Sequence, residues 1–354
     1  MIRVLVVEDT PVVRELLVHL LDSDPDIEVV GTASNGEEAL EAVAHKSPNV
    51  ITMDVHMPRL NGLDATRRIM ETHPTPIVVV SGSSNPQVAS LAFTAIEAGA
   101  LAVVEKPKGI GHPDHESTAA RLVQMVKLMS AVPVVRRWIH RDALQSPAPP
   151  LPPAADAVSP AAIKIIAIGA STGGPLVLQK MLSALPADLP VPLLIVQHIS
   201  PGFTHGLVEW LRATSSLEVH VASSGVRALP GNVYLAPDRF HLGVESDGRM
   251  RLSQDPAENG HRPSVAFLFR SVARAFGGKA LGVLLTGMGK DGAEELKQMK
   301  DAGAITIAQD KASSVVHGMP GEAIQLGAAT FVIHADRLAG LLTKLTNRNE
   351  GVHS

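Results

Sequence analysis

Seven prolines crowd the stretch between Ala131 and Ala161, at positions 133, 147, 149, 150, 152, 153 and 160. Such a run, interspersed with Ala and Ser, cannot sustain a helix, because proline removes a backbone donor and clashes with the preceding turn. It cannot sit in a sheet interior for the same reason. Structureless loops of that length are uncommon inside compact domains. The 354-residue chain is therefore expected to fold as two bodies on a semi-stiff tether. The boundaries predicted are 1–130 for the first body, 131–160 for the linker and 161–350 for the second.

Both flanks alternate short apolar runs with helical stretches. In the first, IRVLVV, IEVVGTA, VITMD, PIVVVSG and ALAVVEK read as strands, with amphipathic segments such as VVRELLVHLL and EEALEAVAH between them. That order means βαβ units and a five-stranded parallel sheet, doubly wound in the flavodoxin-like manner. In the second, IKIIAIG, VPLLIVQH, LEVHVA, NVYLA, ALGVLLTG, AITIAQ and ATFVI read as strands. PLVLQKMLSAL, AFLFRSVARAF, AEELKQMKDAG and ADRLAGLLTKL read as helices. The expected result is a mostly parallel, doubly wound α/β domain. HLGVESDGRMRLS reads as a hairpin turning at Asp247-Gly248.

Composition narrows the chemistry. There is no cysteine, which excludes thiol nucleophiles, disulfides and Cys-ligated metal sites. With 31 basic against 35 acidic residues, no electrostatic footprint for nucleic acid or lipid exists. MIRVLVVEDT leads straight into a strand rather than a signal peptide, and no run of about 18 apolar residues follows. A cytoplasmic protein without membrane insertion is expected.

In a doubly wound sheet, ligand chemistry gathers at the carboxyl ends of the strands. Glu8 and Asp9 follow the first strand, Asp54 the third, Ser81 the fourth and Lys106 the fifth. Three converging carboxylates need a cation among them, and Mg²⁺, which favours oxygen ligands, meets that need. Asp54 could then attack a phosphoryl group whose oxygens Ser81 and Lys106 stabilise. This set, with Lys106-Pro107, resembles the receiver domain of two-component response regulators over about the first 125 residues. The resemblance implies phosphorylation of Asp54 by a histidine kinase and a cis Lys106-Pro107 bond. Val103 stands where receivers carry a Tyr or Phe, and Phe93 is the only aromatic before Trp138. The signal is therefore expected to pass through Ser81 and the adjoining helix.

In the second body, GASTGG joins a buried strand to a helix entered through Pro175. Gly169 to Gly173 fits G-x-S-x-G, a strand-turn-helix elbow that projects a serine hydroxyl near free amides. A dinucleotide loop is the competing reading, but Ser171 occupies the central glycine position and the next strand ends in Gln197-His198 rather than an acid. His198, at the end of a neighbouring strand, could serve as base for Ser171. Asp291, after ALGVLL, could orient that imidazole. Asp310, His317 and His334 remain rivals for the acid and base.

GASTGG, QHISPGFT, YLAPD, HRPSV, LLTGMGKDGA and AQDKASSVVHGMPGEAI follow in that order and resemble the CheB family of chemotaxis protein-glutamate methylesterases and glutaminases. The resemblance implies Ser171 as nucleophile, His198 as base and Asp291 as orienting acid, with the Thr172 amide and the Met288 region near the oxyanion. It implies no cofactor for the esterase. Methyl-accepting chemoreceptors are implied as substrate and a CheA-type histidine kinase as phosphodonor, with the receiver blocking the site until Asp54 is phosphorylated. Two departures, Ala266 after HRPSV and His317 before GMP, bear on substrate docking. The alternative function is a phosphorylation-dependent adaptor whose hydrolase-like module only binds.

Overall fold

A computed structural model describes residues 1–82, 86–134 and 163–347, the side chains of 86–88 excepted. These residues form two compact units, one on either side of the undescribed stretch. Apart from residues 131–134, the expected linker lies outside the described residues.

In the first unit β1 (Ile2–Val7), β2 (Ile27–Ala33), β3 (Val50–Met53), β4 (Ile77–Ser81) and β5 (Ala102–Glu105) form one parallel sheet in the order β2-β1-β3-β4-β5. Helices α1 (Pro11–Asp22), α2 (Gly36–Lys46), α3 (Gly62–Thr72), α4 (Pro86–Ala98) and α5 (His115–Ser130) alternate with the strands. Every residue of β3 and β4 is buried, as expected for a parallel sheet covered on both faces. Asn35 caps α2 by accepting hydrogen bonds from the Glu37 and Glu38 amides, each at 3.1 Å. Strand order reverses between β1 and β3, and Glu8, Asp9 and Asp54 follow those two strands.

The second unit is built on seven parallel strands: β6 (Ile165–Ala170), β7 (Leu193–Gln197), β8 (Glu218–Val221), β9 (Asn232–Leu235), β12 (Ala280–Leu284), β13 (Ile305–Gln309) and β14 (Phe331–Ile333). Their order is β14-β13-β12-β6-β7-β9-β8. The expected hairpin is present as β10 (His241–Val244) paired antiparallel with β11 (Met250–Ser253). Helices α6 (Gly174–Ala184), α7 (Thr204–Thr214), α8 (Val265–Phe276), α9 (Ala293–Asp301), α10 (Met319–Gln325) and α11 (Leu338–Asn347) complete it.

The sequence pattern misses α7 and α10. In THGLVEWLRAT, Gly206 lowers helix propensity, yet Leu207, Val208, Trp210 and Leu211 are all buried, and that packing overrides propensity. α10 has only seven residues, with Pro320 and Gly321 among them, too few for a periodic signal. No described helix is long and apolar enough to cross a membrane.

Candidate active site

The β strands run outward from β6 in both directions, to β7 on one side and to β12 on the other. This reversal is the switch point where a doubly wound sheet leaves a crevice. Ala170 pairs with Gln197, so Ser171 and His198 emerge one residue further on from adjacent strands. The His198 amide donates to Ala170 O at 2.8 Å, and the Ser171 amide donates to Thr286 O, just past β12, at 3.0 Å. Gln197 Nε2 ties the two loops together, donating to Ser171 O at 2.8 Å and His198 O at 2.9 Å.

The β12–α9 loop passes close under the serine. A Cβ on Gly287 would stand 2.6 Å from Ser171 Cβ and 2.4 Å from the Met319 sulfur, so only glycine permits this approach. The loop then exposes Met288, Gly289 and Lys290 before burying Asp291. Gly174 donates its amide to Ser171 O at 2.9 Å, whereas the Thr172 amide donates no hydrogen bond among the described residues.

Asp291 and His198 form the centre of the cluster. Their side chains are 2% and 3% exposed, with His198 Nε2 2.9 Å from Asp291 Oδ2. Asp291 also accepts from Asn259 Nδ2 at 3.0 Å, from the Val265 amide at 2.7 Å and from the Ala266 amide at 3.2 Å. The last two are first-turn amides of α8, which have no partner inside the helix and point its positive dipole end at the carboxylate. Burial pushes the Asp291 carboxyl up, but hydrogen bonding and charge from His198, then the Asn259 and Val265 donors, outweigh it and hold it below the ordinary range.

An ionised Asp291 can only accept, so His198 Nε2 carries the proton of this bond. Nδ1 is thereby left as a bare lone pair. It is buried and has no hydrogen-bond partner among the described residues. His261 stacks on His198, its ring centroid 3.9 Å away at an interplanar angle of 8°.

The rivals are held by other partners. Asp310 accepts from the Ser313 amide and hydroxyl at 2.9 and 2.7 Å, closing its own turn. His317 bridges to Gly287, with Nδ1 3.3 Å from Ser314 Oγ. His334 caps the turn leading into α11. Ala266 is buried and meets Asp291 through its backbone amide. Asn259 and His261 are missed by sequence reasoning. The Asn259-Gly260 turn dipeptide was the available signal.

The first unit gathers a different cluster. Glu8, Asp9 and Asp54 present carboxylate oxygens all within 4.8 Å of one another. Lys106 Nζ lies 2.8 Å from Glu8 Oε2 and 2.9 Å from Asp54 Oδ2. Burial first, then the Asp54 charge, pushes the Glu8 carboxyl up against the opposing pull of Lys106. Burial lowers the Lys106 ammonium, but Asp54 and Glu8 more than reverse this and leave it raised. Ser81 Oγ is buried without a hydrogen-bond partner among the described residues, and the Lys106 amide donates to Ser81 O at 2.9 Å. Phe93 is fully buried on α4. The Lys106–Pro107 peptide is trans, contrary to the expectation from the receiver resemblance. The cis bond among the described residues is Arg262–Pro263.

Comparison with known proteins covers both units. Residues 166–342 match the family described as CheB methylesterase, and residues 4–112 match the response regulator receiver domain. A protein-glutamate methylesterase/protein-glutamine glutaminase of Nitrosospira multiformis is 56% identical over 98% of this chain and 97% of its own length. One from Geobacter metallireducens is 56% identical over 98% of this chain and 99% of its own. The solved CheB methylesterase catalytic domain of Thermotoga maritima is 40% identical, with a TM-score of 0.51, covering 52% of this chain and 100% of that one. Matched in both halves and along nearly its whole length, the chain belongs to the CheB methylesterase family, with a response regulator receiver domain at its amino-terminal end.

Proposed function

We propose that the chain is a phosphorylation-activated serine hydrolase that demethylates glutamate γ-methyl esters, and deamidates glutamines, on the cytoplasmic helices of chemoreceptors. One observation carries the chemical reading: His198 gives Nε2 to Asp291 and keeps Nδ1 buried and unpartnered, one strand from Ser171. A serine hydroxyl is a poor nucleophile at neutral pH and requires such a base.

In this reading Ser171 Oγ attacks the ester carbonyl while its proton passes to His198 Nδ1. The imidazolium is stabilised by Asp291. Negative charge forming on the carbonyl oxygen is met by the Thr172 amide and by donors near Met288. One donor of this kind is worth about 10²–10³ in rate. The tetrahedral intermediate collapses as His198 returns the proton to the departing methoxide, giving methanol and an acyl-serine. Water then loses a proton to His198 and adds to the acyl group, and Ser171 leaves with that proton, freeing glutamate. On a glutamine the same steps release ammonia.

Asp54 accepts the phosphoryl group that raises turnover, with a CheA-type histidine kinase as donor. Ser81 and Lys106 would hold the phosphoryl oxygens. The oxygen donors of Glu8, Asp9 and Asp54 suit Mg²⁺, and a divalent cation would relieve both the burial and the Asp54 charge that raise the Glu8 carboxyl. Bound there, Mg²⁺ would supply positive charge to the phosphoryl oxygens.

The test is methanol release from methylated receptor membranes, with and without a small-molecule phosphodonor. Release that rises with phosphodonor and vanishes in Ser171→Ala is expected. A protein that takes up phosphate at Asp54 yet releases no methanol would be an adaptor, and the reading would fail.

A further inference from the structure

The four residues Glu258 to His261 make a turn that touches the His198–Asp291 couple from outside both strands. The ends pair with each other, Glu258 donating its amide to His261 O at 3.0 Å and His261 to Glu258 O at 2.8 Å. The central residues Asn259 and Gly260 have φ of 53° and 79°. Left-handed backbone at both central positions is the geometry of the tightest hairpin turns.

Three of the four residues then grip different partners. Glu258 receives Arg270 Nη2 on both oxygens, at 2.6 and 2.8 Å, which fastens the turn to α8. Asn259 donates to Asp291 Oδ1 at 3.0 Å. His261 stacks on His198 at 3.9 Å and 8°. With Asn259 in place, each Asp291 oxygen carries two donors: Asn259 and Ala266 on Oδ1, His198 and Val265 on Oδ2. The carboxylate thus cannot turn without breaking bonds. The stack does for the imidazole what Asn259 does for the carboxylate, because a flat neighbour at van der Waals distance resists rotation of the ring.

We propose that Asn259 and His261 are positioning residues for the hydrolysis, the turn clamping the His198 ring and the Asp291 carboxylate in one relative orientation so that Nδ1 stays directed at its proton donor. The proposal rests on the Ser171–His198–Asp291 reading. Misplacement of a reacting group by about 1 Å can cost on the order of 10²-fold, and the clamp is expected to act in that range on turnover while leaving substrate binding alone.

The experiment measures methanol release by the full-length chain, with phosphodonor and Mg²⁺, for Ser171→Ala, Asn259→Gly, His261→Ala and His261→Phe. Glycine replaces Asn259 because an alanine would be strained in the left-handed backbone there. Asn259→Gly and His261→Ala are each expected to lower kcat about tenfold or more, with KM within about twofold and the chain still folded at the assay temperature. His261→Phe, which keeps a flat ring, should recover most of the loss. Two outcomes overturn the clamp: unchanged kcat in Asn259→Gly and His261→Ala while Ser171→Ala is inactive, or no recovery in His261→Phe. An active Ser171→Ala overturns the triad reading instead.

Discussion

At the edge of the first sheet three carboxylates crowd one lysine; at the edge of the second, one carboxylate is surrounded by four donors. Both clusters sit where strand order reverses, between β1 and β3 and between β6 and its two neighbours. Both carboxylates concerned, Glu8 and Asp291, are buried, and burial pushes each of them up. They end on opposite sides of the ordinary range because their neighbours differ. Glu8 faces the Asp54 charge and shares Lys106 with it, so it stays raised. Asp291 is held by His198 and by the Asn259 and Val265 donors, which outweigh burial, and ends lowered. In the proposed function the first site receives a cation and a phosphoryl group, and it is left short of positive charge. In the same proposal the second site holds an imidazolium through a proton transfer, and its acid is satisfied beforehand, so that no reorganisation is needed when the charge forms.

The sharpest way to break this comparison is to separate the two chemistries. Ser171→Ala should reduce methanol release on the order of 10⁴-fold or more, while phosphate uptake at Asp54 proceeds at the unmodified rate. Loss of both activities together would mean that the two clusters do not act as independent sites. Next in size is Asp291→Asn, which keeps the shape but offers His198 an amide. A loss of about 10²–10⁴-fold in kcat is expected, against less than about threefold for Asp310→Asn. Asp310 is occupied with the Ser313 amide and hydroxyl. Equal losses in the two variants would mean that the orienting acid has been misassigned.

Strand ends were the legible part of these sites. Parallel strands buried on both faces announce themselves as apolar runs, so the residue that follows each run could be named from the sequence alone: Glu8, Asp54, Ser171 and His198, with Asp291 further along the loop after a third such run. What the chain does between strands was less legible. Asn259 and His261 belong to no periodic element, and the contacts that matter come from a turn reaching across more than thirty residues to Asp291. The α8 amides that hold Asp291 are invisible for a related reason, since backbone donors leave no trace in residue identity. Ala266 illustrates this: its contribution to Asp291 is an N–H that any non-proline residue would supply.

The charge shortage in the first cluster predicts a response of intermediate size. Mg²⁺ at about 100 times its dissociation constant should stabilise the receiver unit by roughly 2.7 kcal/mol, read as a rise of several degrees in its unfolding transition. Glu8 sets the pH dependence. Its folded value lies above its unfolded one, so without metal the folded unit gains relative stability as pH falls and loses it as pH rises through the folded value. The Mg²⁺ effect has the opposite trend, shrinking as Glu8 takes up a proton. Glu8→Gln should therefore blunt both the metal effect and its pH dependence. An identical Mg²⁺ shift in that variant would remove Glu8 from the cation site.

Asp291 gives the mirror image, and the smallest effect. Its folded value is depressed, so the stability it contributes is fully present above the unfolded value of about 3.9 and disappears as pH falls through the folded one. The window lies entirely below about pH 4, where other carboxylates of the chain also titrate and dilute any single contribution. Acid unfolding of the second unit, followed by circular dichroism, should thus be slightly less steep below pH 4 in Asp291→Asn than in the unmodified chain, with Asp310→Asn as the control. If the slope were unchanged, the four donors would be holding Asp291 in place without favouring its charge. The opposition between a carboxylate short of partners and one saturated with them would then be a matter of geometry and not of electrostatics.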